Sequence, residues 1–434
     1  MPSLSRRNFA RLLAISGSAA LFPRSAFGTS ADLLENFDIS FAPLPQTPAQ
    51  PGEAFWREVR TKFLIPRDVA FMNAANLCPT SLPVIEAMEK NTRTYEAEPS
   101  PTRRSTLTAG KEEARRLLAE AMRVTPEEIV ITRNTSEANN LVSSGLNLGP
   151  GDDVLTFSDN HPSNLNAWRV KGQRFGYTVT SVAQVSPHPG TEFYVDAFSK
   201  AITPRTKVLA FSHVSSNSGD LLPAAELCKL ARDRGVLSVV DGAQTFGILD
   251  NDLSVIRPDF YTGSAHKWPC GPKETGLLFV NSAVHDRVFP SVVSLYPGAV
   301  GISRTMEAYG QRDDSSLAAL AEAVKFQGSI GRAAIEQRGR QLAQHLMTEL
   351  KKINGVKLWT DPDPSRSAAI VVFQPGSLDL RRLGTALYQT DHIVCTTRAG
   401  ADRPGLRMSM HFFNTMEETD RFIGAIRKYI ANGV

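Results

Sequence analysis

The chain has 434 residues, of which 42% are hydrophobic and 21% charged, the make-up of an ordinary soluble protein with room for two or three layered units. Its net charge of +4 is accounted for by Arg6, Arg7, Arg11 and Arg24 in residues 1–28, a stretch with no acidic side chain. The remainder is balanced, so a basic face for nucleic acid is excluded as an expectation.

In chain order, "SRRNFARLLAISGSAALFPRSAFG" sets two adjacent arginines before an apolar stretch and ends in small residues. The stretch from Leu12 to Phe22 is interrupted by Ser16, Gly17 and Ser18 and is too short to span a bilayer. The pattern resembles a twin-arginine export signal, a route that carries folded cargo, and predicts a signal over residues 1–28. A periplasmic destination follows, with membrane contact only during export; a disordered or membrane-resting N-terminus is the other reading. Residues 29–53, with "FAPLPQTPAQPGE", read as a linker or surface arm.

From residue 54 the pattern is regular. Seven short apolar runs, "EEIVITR", "DDVLTFS", "YTVTSVA", "TKVLAFSH", "LSVVDGA", "PDFYTGS" and "TGLLFVN", alternate with helix-length stretches. Continuous apolar strands so spaced predict a mostly parallel sheet buried on both faces, the α/β layered class, in a large domain over residues 54–324. A long helical pattern follows near 315–350, which Gly328 and Gly331 are expected to break or bend. A smaller α+β domain is expected over residues 325–434, with strands near "VKLWT", "AAIVVFQ", "IVCTT" and "GLRMSMHF" and helices near 378–389 and from 416. Cys78, Cys228, Cys270 and Cys395 are scattered without metal-type spacing, so no metal site is expected, and pairing or burial as free thiols stays open.

Ligands of an open parallel sheet sit beyond the carboxyl ends of its strands, and several of those ends are polar here. "VITRNTSEANN" opens a helix at Thr135 and Ser136, where free backbone N–H groups favour an anion such as phosphate or simply make an ordinary cap. "VLSVVDGAQTFG" ends an apolar strand in Asp241, a costly place for a carboxylate unless a protonated pyridine nitrogen, a buried arginine or a metal needs its charge. "PDFYTGSAHKWPCGP" ends the next in Ser264 and His266, both able to donate to a phosphate, and Lys267. An amine held near positive or apolar groups has a lowered pKa and can form a Schiff base. An aspartate for the pyridinium with a lysine for the imine marks pyridoxal phosphate chemistry.

At this point the chain resembles the class V aminotransferase family of fold type I pyridoxal phosphate enzymes. Eight segments run in the family's order: "FMNAAN", "TRNTSEANN", "SDNHPSNLNAW", "SHVSSNSGDLLP", "VVDGAQTFG", "GSAHKWPCGP", "YGQRD" and "GLRMSMHFFNT". The resemblance implies a seven-stranded sheet between helices, a smaller C-terminal domain, a homodimer and pyridoxal 5′-phosphate as cofactor. It implies that Lys267 carries the cofactor and later moves the proton at the substrate α-carbon, and that Asp241 holds the pyridinium. His161 would stack on the ring, Gln244 would bond its phenolic oxygen, and Thr135, Ser136, Ser264 and His266 would hold the phosphate. Arg407 would clamp the substrate carboxylate, with Asn76 of "FMNAAN" also at the substrate. Other readings stay open: His161 as a turn cap, Arg407 in a surface ion pair, Gln244 satisfying backbone groups.

Departures from the family's pattern narrow the function. Ser216 stands where the desulfurase branch has asparagine, which resembles the isopenicillin N epimerase-like branch and adds Ser216 to the cofactor contacts. "TTRAGADRPGLR" lacks the loop cysteine that desulfurases need, and Gln311 replaces a threonine that reaches across the dimer. The expectation is an exported enzyme for an amino acid or peptide-like substrate, by transamination or epimerisation, of the kind that tailors a secreted peptide siderophore. A cysteine desulfurase or C–S lyase, and a catalytically silent cofactor carrier, are the rivals.

Overall fold

The computed structural model describes residues 36–399 and 402–434. The export signal expected over residues 1–28, and residues 29–35 of the arm, lie outside the described residues. Strand β1 (Ala70–Phe71) is followed by the seven strands read from the apolar runs: β2 (Ile129–Thr132), β3 (Asp153–Phe157), β4 (Thr178–Val182), β5 (Thr206–Ser212), β6 (Leu237–Asp241), β7 (Phe260–Ser264) and β8 (Gly276–Val280). These seven form one sheet in the order β2-β8-β7-β6-β5-β3-β4. Only β8 runs against its neighbours, so the sheet is mostly parallel, as the α/β expectation required.

The reason the strands read as unbroken apolar runs is visible in their side chains. Ile129, Ile131, Leu155, Phe157, Leu209, Phe211, Val240 and Tyr261 face one hydrophobic layer. Their alternate neighbours Val130, Val154, Val208, Ala210, Val239 and Phe260 face the other. With both faces covered by helices, polar alternation has nowhere to appear. Each valine, leucine, isoleucine or phenylalanine among them contributes about 1.5–3 kcal/mol by leaving water.

The helix Asp314–Ile330 packs on helices Leu82–Ala97 and Pro101–Met122 and runs unbroken through Gly328. It stops at Gly331, whose φ of 92° suits glycine, before the helix Arg332–Leu350 begins. The boundary expected at residue 325 therefore falls inside a helix, because a single exposed glycine weakens a helix without ending it. Beyond it lie β9 (Val356–Leu358), β10 (Ile370–Pro375), β11 (Ile393–Val394), β12 (Thr396–Thr397) and β13 (Leu406–Ser409). Four of these make an antiparallel sheet in the order β12-β13-β10-β9. β11 instead pairs in parallel with β1, and Ala70 and Met72 join the core built by Leu342, Val371, Met408 and Phe422. Residues 70–72, expected in the large domain, thus pack with the C-terminal unit.

Candidate active site

The carboxyl ends of β2, β5, β6 and β7 open on one cavity of about 240 Å³. It is lined by Thr135, Ser136, His161, Ser216, Asp241, Gln244, Ser264, His266 and Lys267, together with Asn134, Asn139 and Ser212 among others. Register explains the convergence. Ser212 is opposite Asp241, so β5 and β6 end level, and Asp241 is opposite Thr262, so β7 runs on to bring Ser264 to the same opening.

One end of the cavity is an anion cradle. Asn134 caps the helix Thr135–Gly145 by accepting the Glu137 N–H at 2.9 Å, and this helix start, with Thr135 and Ser136, faces the cavity. Ser264 Oγ accepts the Thr135 amide at 2.8 Å and lies 2.9 Å from Thr135 Oγ1, tying the end of β7 to the helix start. His266 stands beside them, its pKa pushed down to about 4 by burial and by Lys267 and Lys273. At neutral pH it is therefore a neutral imidazole.

In the middle of the cavity, Asp241 is 4% exposed. Its Oδ2 accepts the Asn139 amide at 2.9 Å and its Oδ1 the Ala243 N–H at 3.0 Å. Among the described residues no arginine or lysine pairs with it, and it joins no cluster of metal-ligating side chains. Of the three partners weighed for this carboxylate, a buried arginine is not there among the described residues, and a protonated pyridine nitrogen fits a carboxylate that faces the cavity. Asn139 sits one turn after Thr135 on the same helix face; Thr262 Oγ1 in turn donates to its Oδ1 at 3.1 Å. Gly242 follows because a Cβ there would come 2.0 Å from Tyr261 Cζ.

Lys267 is half-buried, on a tight turn held by Cys270 N–H to Lys267 O at 2.9 Å and Gly271 N–H to Ala265 O at 2.8 Å. Its pKa is lowered to about 8, chiefly by burial and further by Arg407, against the opposing pull of Asp241. Trp268, fully buried, anchors the turn: its indole donates to Gln244 Oε1 at 2.9 Å, and its carbonyl accepts from Gln327 Nε2 at 2.7 Å. Gln244 Nε2 donates to Ala75 O at 3.0 Å, so the backbone-satisfying reading of this residue is realised while it still lines the cavity. For His161 the structure shows the cap, and places the residue at the cavity. It caps the helix Pro162–Phe175, accepting the Ser163 N–H on Nδ1 at 3.2 Å, and stands at the cavity rim. Burial of part of the ring and the nearby Lys267 lower its pKa.

Arg407 reaches the site from β13. It donates to Ser216 O and to Thr396 Oγ1, both at 3.4 Å, and has no carboxylate partner among the described residues, which sets aside the surface ion pair. Burial and the neighbouring Arg398 lower its pKa to about 10. Asn76 is exposed and lies outside the cavity, because the turn closed by its N–H to Asn73 O at 3.1 Å carries it outward. The asparagine linked to Arg407 is Asn73, whose Oδ1 accepts from Thr396 Oγ1 at 2.7 Å. Sequence reading missed Asn139, Asn73, Thr396, Arg398 and Arg403. Only Asn139 carried a usable signal, its four-residue spacing from Thr135.

These residues fit pyridoxal phosphate: an anion cradle at one end, a carboxylate awaiting a cationic ring nitrogen between, and a lysine of lowered pKa beside it. No cysteine lines the cavity, and burial pushes the Cys395 thiol up to about 12.

Comparison with known proteins points the same way. The family described as aminotransferase class-V matches residues 71–422. Isopenicillin N epimerase of Streptomyces clavuligerus is 31% identical over 390 residues, covering 86% of this chain and 98% of the relative. A probable cysteine desulfurase of Methanothermobacter thermautotrophicus is 26% identical, covering 83% of this chain and 94% of its own length. Among solved structures, a C-DES variant with glycine covalently linked to its pyridoxal phosphate cofactor superposes with a TM-score of 0.79 at 23% identity, over 85% of this chain and 98% of that one. At that identity the likeness is one of fold.

Proposed function

The chain belongs to the aminotransferase class-V family, and we propose that it is an exported enzyme of the epimerase-like branch acting at the α-carbon or side chain of an amino acid or peptide-like compound. As a member of that family it is a pyridoxal 5′-phosphate enzyme. The observation that carries the reading is the convergence of Lys267, Asp241 and the Thr135 helix start on one cavity, with Arg407 one carbonyl away.

Bound pyridoxal phosphate supplies an electron sink for bond cleavage at the α-carbon. Thr135, Ser136, Ser264 and His266 would hold the phosphate, the His266 imidazole by donating a hydrogen bond. Asp241, aimed by Asn139 and the Ala243 amide, would hold a negative charge for the ring nitrogen. His161 would pack against the ring, and Gln244 would offer its second amide hydrogen to the phenolic oxygen. Arg407 binds the substrate carboxylate as a fork, which orients the α-carbon toward Lys267. The Lys267 amine, of lowered pKa, takes and returns the proton there.

Transamination and epimerisation share these steps and differ in where the proton returns. Export, inferred from residues 1–28, favours a secreted peptide-like metabolite such as a siderophore over a central-metabolic amino acid. Against persulfide chemistry stands the absence of a cysteine in residues 398–407. Against a silent carrier stands the retention of Arg407, which a cofactor store has no use for. A homodimer is part of the proposal, supported by exposed apolar side chains in residues 289–296.

The test uses the purified protein. Wild type should absorb in the visible and, after borohydride, retain cofactor covalently on Lys267; it should also exchange the substrate α-hydrogen in D₂O. Asp241→Asn should keep the cofactor and lose turnover by about 10²–10³-fold. Covalent retention of cofactor by Lys267→Ala, or near-normal turnover by Asp241→Asn, would overturn the assignment.

A further inference from the structure

We propose that the mouth of the cavity carries a second anion-binding subsite, made by Arg398 and Arg403 beside Arg407, and that the substrate therefore bears an anionic group in addition to its α-carboxylate. The inference rests on the function proposed above and names the substrate class of the same site.

Three guanidinium groups meet over the loop that contains Ser216. Arg398 Nη1 donates to Ser216 O at 3.3 Å and Arg407 Nη1 to the same oxygen at 3.4 Å, so the two cations share one carbonyl. Arg398 Nη1 also donates to Asn217 Oδ1 at 2.8 Å. Neither has a carboxylate partner among the described residues. Arg403 Nη2 is bound to Asp159 Oδ1, and Asp159 is already occupied by Ser215, Ser218 Oγ at 3.2 Å and Asn217 Nδ2 at 3.1 Å. One carboxylate thus stands against three buried or half-buried cations.

Each arginine also keeps one buried nitrogen without a hydrogen-bond partner: Arg398 Nε, Arg403 Nη1 and Arg407 Nε. Buried donors left unmade cost free energy, and like charges packed together cost more. The repulsion is felt at Arg407, whose pKa falls to about 10 through burial and Arg398. A substrate α-carboxylate on Arg407 cancels one excess charge. The cofactor phosphate cannot cancel the other, since its cradle lies at the Thr135 end of the cavity. A neutral amide would satisfy N–H donors but leave that charge standing; a second carboxylate satisfies both. Ser216 lines the cofactor cavity itself, which places the subsite within a side chain's reach of the reacting carbon.

The test needs no turnover. Succinate, glutarate and adipate have no amine to react, and each is compared with its own monoamide by calorimetry on the cofactor-loaded protein. At least one diacid should bind about 10-fold or more tightly than its monoamide, as charge-assisted pairing implies. Arg398→Gln should bring that diacid down to its monoamide's affinity and leave the monoamide unmoved, Arg403→Gln should act in the same direction, and Arg407→Gln should weaken both ligands. Retained visible absorbance of Arg398→Gln checks that the variant is folded and loaded. Equal binding of every diacid and its monoamide, or equal weakening of both by Arg398→Gln, would overturn the subsite while leaving the Lys267 assignment intact. A failed borohydride test with an intact diacid preference would do the reverse.

Discussion

Lys267 couples the chemistry of the site to the stability of the cofactor-free protein. In the folded chain its pKa is lowered to about 8 by burial, while an unfolded lysine titrates near ~10.4. Below pH 8 both states hold the proton, and the folded state bears the full penalty of a charge in the pocket. As pH rises through 8 the folded state releases its proton first, so stability grows until the unfolded state follows near ~10.4. Lys267→Met should therefore raise the melting temperature of cofactor-free protein at pH 7, with the advantage shrinking across pH 8 to 10.5 and gone above it. A pH-independent difference would mean that the amine's charge is not what burial penalises. At this scale the sequence was informative about residues whose chemistry is unusual for their place, such as Asp241 ending an apolar strand. It was silent on Arg398 and Arg403, since an arginine in a loop looks the same whether or not two others lie beside it.

The elements that position these residues are held by a buried ionic brace behind the sheet. Arg115, on the helix Pro101–Met122, donates to both oxygens of Glu307, at 2.5 and 2.8 Å, and to Ile129 O at 2.6 Å. Glu307 Oε1 also accepts the Ile131 N–H at 2.5 Å, so one carboxylate fixes β2 to the helix, three residues before the Asn134 cap and its anion cradle. The side chains of both ions are at most 2% exposed. Arg115 also donates to Glu112 at 2.7 and 3.0 Å and keeps that partner when Glu307 is lost, so Glu307→Ala should destabilise the protein by about 1–3 kcal/mol, the cost of the buried donors left unmade, read from the denaturant midpoint. The exposed Arg116–Glu113 pair on the same helix is the control, and Glu113→Ala should leave the midpoint where it is. Strands buried on both faces were legible as apolar runs. The two-residue strand β1 was not, because so short a stretch has no period, and the single strand expected near "IVCTT" is divided into β11 and β12, which pair with different partners, β1 and β13.

For the molecule as a whole, the segment between β8 and the helix Asp314–Ile330 presents Phe289, Val293, Leu295 and Tyr296 to solvent, Val293 at 83% and Leu295 at 89% exposure. Exposed apolar side chains this close together mark a contact surface. The proposed homodimer gives them a partner, so Val293→Lys combined with Leu295→Lys should shift the protein from dimer to monomer in light scattering at micromolar concentration. An unchanged dimer would place the interface elsewhere. The sequence by itself determined the strand succession, the helix that opens at Thr135 and the lysine and aspartate of the cavity. Those follow from local pattern: apolar runs where both faces are buried, and costly polar groups at the ends of those runs. Tertiary structure alone decided that Asn73 rather than Asn76 is tied to Arg407, that residues 70–72 pack with the C-terminal core, and that three arginines share one loop. These are contacts between residues more than a hundred positions apart, or between side chains whose direction depends on a single turn, and no local pattern encodes them.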